Sequence, residues 1–193
     1  DYPPFYECSN PKKLEIKQSI SNTQVNRVNL IITWEKSINP NIKRYKSLDI
    51  FKETEGYPKY DLIISSSDDR REYLDLTNNF YNATDLFIDT NYSIRLKVRH
   101  RGIIKLSNGM KFLIETTNEK NLEDEFNKVF KSEKNIKKPL IKKFKTIEFK
   151  NDDDCKQNNL YYDRDLFSDN KKIPYYLDNS YPRKCVSRKN NFK

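Results

Sequence analysis

The stretch Leu86-Phe87-Ile88-Asp89-Thr90-Asn91-Tyr92-Ser93-Ile94-Arg95-Leu96-Lys97-Val98-Arg99 decides how the chain is read. It opens on a turn and closes on a run of strict two-residue alternation. Tyr92, Ile94, Leu96 and Val98 share one face of a strand, and Ser93, Arg95, Lys97 and Arg99 share the other. This is the pattern of an antiparallel strand with one side on a core. It predicts a central strand around which the other elements are placed.

Upstream, Val28-Asn29-Leu30-Ile31-Ile32-Thr33-Trp34 alternates in the same way and is dense in β-branched residues, so it reads as a second core strand ending in the only tryptophan. Leu14-Glu15-Ile16 makes a short strand before it, followed by a polar turn from Ser19 to Asn26. Asn39-Pro40-Asn41 supplies another turn. Tyr45 to Phe51 and Asp61 to Ser65 read as strands separated by Glu55-Gly56-Tyr57-Pro58, and Tyr73 to Thr84 contributes one more. Downstream, Gly102 and then Ser107-Asn108-Gly109 break the run, and Asn-Gly between alternating hydrophobics marks a hairpin. Met110 to Thr117 returns as its partner strand. Short antiparallel strands at this spacing predict an all-β sandwich.

Beyond Thr117 the period changes. Leu122, Phe126, Val129 and Phe130 recur at helical spacing behind Asn121, predicting a short amphipathic helix from about Asn121 to Lys131. From Lys134 to Lys150 seven lysines face one glutamate, which reads as a linker or an edge strand. The remainder carries too many aromatics for a disordered tail and is expected to pack. The expected organisation is an extended lead-in over 1–11, a sandwich over 12–117, and an extension over 118–193 holding the helix, the lysine-rich segment and a cysteine-bearing aromatic part.

Leu30-Ile31-Ile32-Thr33-Trp34, the trio Leu86, Thr90 and Tyr92, and the strand from Met110 to Thr117 together resemble a fibronectin type III domain. The resemblance covers Lys12 to Thr117. It implies a sandwich whose leucine seals one end of the core and whose tyrosine hydroxyl satisfies a backbone group at the turn. Ile88 stands where the family has a proline, and a single tryptophan rules out the Trp-Ser-x-Trp-Ser box of cytokine receptors.

The chain has 193 residues, a net charge of +9, 35% hydrophobic and 34% charged residues, and a mean hydropathy of -0.97. The apolar content is thin, and its 13 Tyr and 11 Phe compensate with large rings. The positive charge favours acidic surfaces, but lysine beside abundant asparagine and isoleucine is a bias that an AT-rich genome produces without selection for binding. No run matches a membrane span, and the start lacks an initiator methionine and a signal peptide, as expected of a processed segment. Three glycines leave no phosphate-cradling loop, and the acids Asp152 to Asp154, Asp163, Asp165 and Asp169 do not fit a calcium loop, since Phe167 and Ser168 occupy key positions. Solvated loop acids are the better reading. His100, between Arg99 and Arg101, reads as a solvent-facing strand-end residue rather than a base. The expectation is a protein with no enzymatic activity and no cofactor or metal.

Cys155 and Cys185 are the favoured disulfide pair, with Cys8 pairing to either as the alternative. Asn82-Ala83-Thr84 and Asn91-Tyr92-Ser93 are glycosylation sequons. These features lean toward a secreted or cell-surface protein. The expected function is a protein-protein interaction or adhesion module, with Arg95, Lys97, Arg99, Asn108 and Gly109 contacting an acidic protein or glycan. Capture of a host protein by a parasite or virus fits the compositional bias. A scaffold subunit of a multiprotein complex is the alternative, and nucleic-acid binding through the lysine run comes third, since only Phe144 and Phe149 interleave with it.

Overall fold

The computed structural model describes residues 8–45, 51–119, 139–156, 175–178 and 183–187. The chain is all-β and mostly antiparallel, with two main sheets and a short helix near the C-terminus, the class expected of a sandwich with a trailing helix. Its strands are β1 (Glu15–Ile20), β2 (Arg27–Thr33), β3 (Phe51–Glu53), β4 (Lys59–Ser65), β5 (Arg70–Leu76), β6 (Phe80–Phe87), β7 (Asn91–Lys105), β8 (Lys111–Thr117), β9 (Leu140–Lys145), β10 (Tyr175–Asp178) and β11 (Lys184–Ser187). Helices α1 (Pro40–Tyr45) and α2 (Asp152–Lys156) are a turn or so long. The larger sheet holds β3, β7, β4, β5, β8 and β9; a three-stranded sheet runs β1-β2-β6; β10 and β11 form a separate pair.

The opening stretch does form the central strand. β7 pairs along one edge with β4, from Lys59↔Arg99 to Ser65↔Ser93, and then with β3. Its other edge takes β8, from Arg99↔Thr117 to Lys105↔Lys111. Gly102 does not break it, contrary to the sequence reading. Strand β7 is 15 residues long, and Gly102 lies between Glu53 and Ile114 in the ladders. A glycine with a partner on each side is held in the sheet by both. The break comes at the predicted turn, where Gly109 has φ 86, its amide donates to the Leu106 carbonyl at 2.9 Å, and the Met110 amide donates to Asn108 Oδ1 at 3.0 Å.

Cα packing divides the chain into two compact units. The first comprises 1–14, 33–79 and 93–142. Its core holds Trp34, Tyr60, Leu62, Ile64, Ile94, Leu96 and Val98, all buried, with Trp34 edge-on to Tyr60 at 5.2 Å. Asn39-Pro40 begins α1 instead of a simple turn, because Asn39 Oδ1 caps the Asn41 amide at 3.0 Å and proline suits the first helical position. The predicted strand from Tyr45 to Phe51 falls mostly on residues outside those described. The segment from Tyr73 to Thr84 resolves into two strands, β5 and β6, rather than one.

The second unit comprises 15–32, 80–92 and 143–193. Val28, Leu30, Ile32, Leu86 and Tyr92 are buried in it. The Tyr92 hydroxyl accepts a hydrogen bond from the Phe87 amide at 3.1 Å, and its ring stacks on Phe144 at 5.9 Å. Strand β1 continues to Ile20, past the predicted start of the turn. Within the lysine-rich run, read as a linker or an edge strand, Leu140–Lys145 forms β9, which pairs with β7, and the residues from Thr146 to Lys150 are not strand. The acids Asp152 to Asp154 are not loop groups, though Asp152 and Asp153 are exposed as expected. They lie on α2, where Asp152 Oδ1 accepts from the Leu177 amide at 2.8 Å and Asp154 Oδ2 from the Lys150 amide at 2.8 Å. Asp163, Asp165, Asp169 and the predicted helix from Asn121 to Lys131 lie outside the described residues.

Cys155 and Cys185 form the disulfide, with Cα atoms 5.7 Å apart. Cys8 is not part of it. That thiol is buried and donates to Thr116 Oγ1 at 3.6 Å.

Candidate functional site

The alternation of β7 places Arg95, Lys97 and Arg99 on one face, as the sequence predicts, and the strands beside it bring carboxylates to meet them. Asp61 lies opposite Lys97 across the β4 ladder. Arg99 bonds both Asp61, at 3.1 Å, and Asp75. Arg95 meets the buried carboxylate of Glu119 at 3.0 Å. The hydrogen bond from Arg99 holds the Asp75 carboxyl below its usual value, with the guanidinium charge adding to the effect. Within this basic stripe, Arg95 and Arg99 are therefore already engaged by carboxylates from β4, β5 and the segment after β8.

Farther along β7 the same face changes character. Arg101 pairs with Glu115 at 2.8 Å. The next cross-strand pair is Ile103 with Leu113, which are 41% and 59% exposed. Lys52 flanks Ile103 on the β3 side, and the row after it sets Lys105 directly opposite Lys111. Like charges facing one another across a ladder oppose pairing. Ile103 and Leu113 thus form a small apolar patch rimmed by lysines, whereas Met110, whose carbonyl accepts from the Leu106 amide at 2.8 Å, falls on the opposite face of the hairpin. Asn108 and Gly109 form the turn at its end. Arg99 and Lys105 are six positions apart, roughly 20 Å along a strand, so the hairpin end and the stripe are separate surfaces.

A second constellation sits on the opposite, buried face of β7. The sequence reading of His100 as solvent-facing is wrong, for a reason the sequence contains: His100 continues the phase of Ile94, Leu96 and Val98. It is 0% exposed. Its Nδ1 is 2.6 Å from Glu53 Oε1 on β3, and its Nε2 is 2.9 Å from Ser37 Oγ in the segment after β2. Serine, imidazole and carboxylate stand in the order used by acyl-transfer triads. Such chemistry also needs donors aimed at a developing oxyanion, and the Ser37 amide instead donates to the Tyr60 hydroxyl at 2.9 Å. Burial raises the pKa of that phenol, with the Ser37 amide opposing the effect. Ser37 also lines a pocket with Asn10, Pro11, Lys12 and Glu35 of about 160 Å³, below the few hundred Å³ usual for organic ligands. The hydrogen bonds tie three chain segments together.

Both sequons are surface groups: Asn82 on β6 and Asn91 at the start of β7 are exposed. Among the described residues no group of three or more His, Cys, Asp or Glu side chains is arranged to hold a metal ion. No helix there is long and apolar enough to cross a membrane. In comparisons with known proteins, no family model matches the chain and no curated protein matches it.

Proposed function

We propose that this chain is a non-enzymatic recognition module of fibronectin type III-like design, working outside the cell, that docks an acidic protein surface on the end of the β7–β8 hairpin. The observation that carries the reading is the exposed Ile103–Leu113 pair with Lys52, Lys105 and Lys111 around it. An apolar centre supplies affinity by desolvation, and a cationic rim selects and steers a partner of opposite charge. Arg95 and Arg99, already engaged by carboxylates, take the supporting role of stiffening the sheet. The family likeness draws support from the buried Trp34 after β2 and from the Tyr92 hydroxyl at the Phe87 amide.

In the lysine-rich run, Phe149 is buried and Phe144 stacks on Tyr92. Neither ring is presented for base stacking, which favours a protein partner over single-stranded nucleic acid. The test is surface capture from the native source, comparing the unaltered chain with Ile103→Ser/Leu113→Ser and with Arg95→Ser/Lys97→Ser. The hairpin variant loses the captured species and the stripe variant keeps it. Equal capture by the hairpin variant would sink the assignment, and a steep salt-dependent affinity for a random oligonucleotide would favour nucleic acid instead.

A further inference from the structure

Strand β6 carries an acceptor asparagine on an aromatic platform. Phe80, Asn82 and Thr84 alternate on its exposed face, while Ala83 and Leu86 turn inward. Asp85, at φ 59, interrupts the alternation, and Phe87 returns to the exposed side. Phe80 is 49% exposed, Phe87 40%, and Ile31 on neighbouring β2 45%. The Arg27 guanidinium lies 3.7 Å over the Phe87 ring. Phe80 has no comparable cation over it among the described residues.

We propose that Asn82 carries an N-linked glycan whose first N-acetylglucosamine packs against the Phe80 ring. Residues two apart on a strand project from the same face about 7 Å apart. A pyranose ring on the Asn82 amide spans that distance. One face of the sugar presents axial C–H groups, which suit the electron-rich face of an aromatic ring. The Asn91 sequon is equally exposed but lacks the platform. Two positions before it stands Asp89, paired with Lys145 at 2.9 Å, and the residue after it, Tyr92, is buried. A glycan there adds bulk without a packing partner.

In the modification the Asn82 amide nitrogen bonds to C1 of the sugar. The bond from C1 to the pyrophosphate of a lipid-linked oligosaccharide breaks, and the amide proton leaves with the pyrophosphate. The proposal rests on the extracellular placement above, since that donor belongs to the secretory pathway.

The full chain is secreted from animal cells behind a heterologous signal, and its peptides are mapped with and without enzymatic removal of N-glycans. Asn82 is expected to be occupied, and Asn82→Gln to lose one glycan by intact mass. Trimming to the first sugar keeps the stabilisation, whereas Asn82→Gln lowers Tm by about 2–4 °C, the shift an ordinary contact gives a chain of this size. In a Phe80→Leu background, which keeps an apolar side chain but no flat ring, the Asn82→Gln difference vanishes. An unmodified Asn82 in secreted protein with the Cys155–Cys185 bond formed overturns the glycan and leaves the extracellular reading standing. An occupied Asn82 whose loss leaves Tm unchanged overturns the Phe80 contact. Finding Cys155 and Cys185 as thiols in protein from the native source would instead defeat the extracellular reading itself.

Discussion

Replacing His100 by alanine tests the buried relay most directly. The imidazole is 0% exposed and joins Glu53 to Ser37 at 2.6 and 2.9 Å. Losing the bond to a carboxylate costs about 1.5–3 kcal/mol and losing the bond to a hydroxyl about 1 kcal/mol. Glu53 retains some access to water, its side chain being 21% exposed, which moderates the desolvation penalty. The expected total is about 3–4 kcal/mol, including the small void left behind. In urea this appears as a lower midpoint at unchanged m-value, and in a thermal scan as a loss of roughly 6–16 °C at about 2–4 °C for each kcal/mol. A double-mutant cycle with Glu53→Gln returns a coupling of about 1.5 kcal/mol or more. A cost below about 0.5 kcal/mol, the usual scale for a surface residue, would refute the reasoning. So would a coupling near zero.

The other expectations are as follows. Ser37 stays unlabelled by a fluorophosphonate probe over hours, and stoichiometric labelling at that residue would defeat the non-enzymatic reading. Opening the Cys155–Cys185 loop, with its sequence separation of 30, by a double change to alanine costs up to about 4 kcal/mol on the chain-entropy view; denaturation with and without reductant checks it, and the alanine protein should ignore the reductant. Tyr92→Phe loses the bond to the Phe87 amide but keeps the stacking on Phe144, so urea unfolding should show a cost of about 1–2 kcal/mol. Asp75, its carboxyl pKa lowered by Arg99, contributes stability that is present above the unfolded carboxylate value and is lost as pH falls through the lower folded one. The stability gap between the unaltered chain and Asp75→Asn, followed by urea titration, therefore closes as pH drops below about 4.

The fold was legible wherever a face repeats every second residue. The phase of Tyr92, Ile94, Leu96 and Val98 gave the central strand, and Asn108-Gly109 gave its turn. The same phase extended two residues further places His100 inside and carries the strand through Gly102. Reading His100 by its neighbours Arg99 and Arg101, and Gly102 by its propensity, hid this. Local chemistry was decisive for the β7–β8 turn and insufficient in mid-strand, where ladders on both edges override it. The charge of the stripe was visible, but its neutralisation was not. Asp61, Asp75 and Glu119 come from other strands and loops, and only the register brings them to Arg95 and Arg99. The outward face of Ile103 and Leu113 is also a register property. A run such as Phe112-Leu113-Ile114 does not by itself say which of its members is left outside.

The length of β7 has a consequence for how the chain reaches this state. Its β8 partner is joined by a tight turn, so the β7–β8 hairpin closes a short loop and can form within microseconds. The ladders to β4 and β3 join Lys59 to Arg99 and Phe51 to Ile104, and each must close a loop of tens of residues before any pairing rewards it. High contact order of this kind slows folding. Until those ladders form, one edge of the longest strand is open while Ile94, Leu96 and Val98 lack their cover. In that interval the chain is most exposed to pairing with a neighbour.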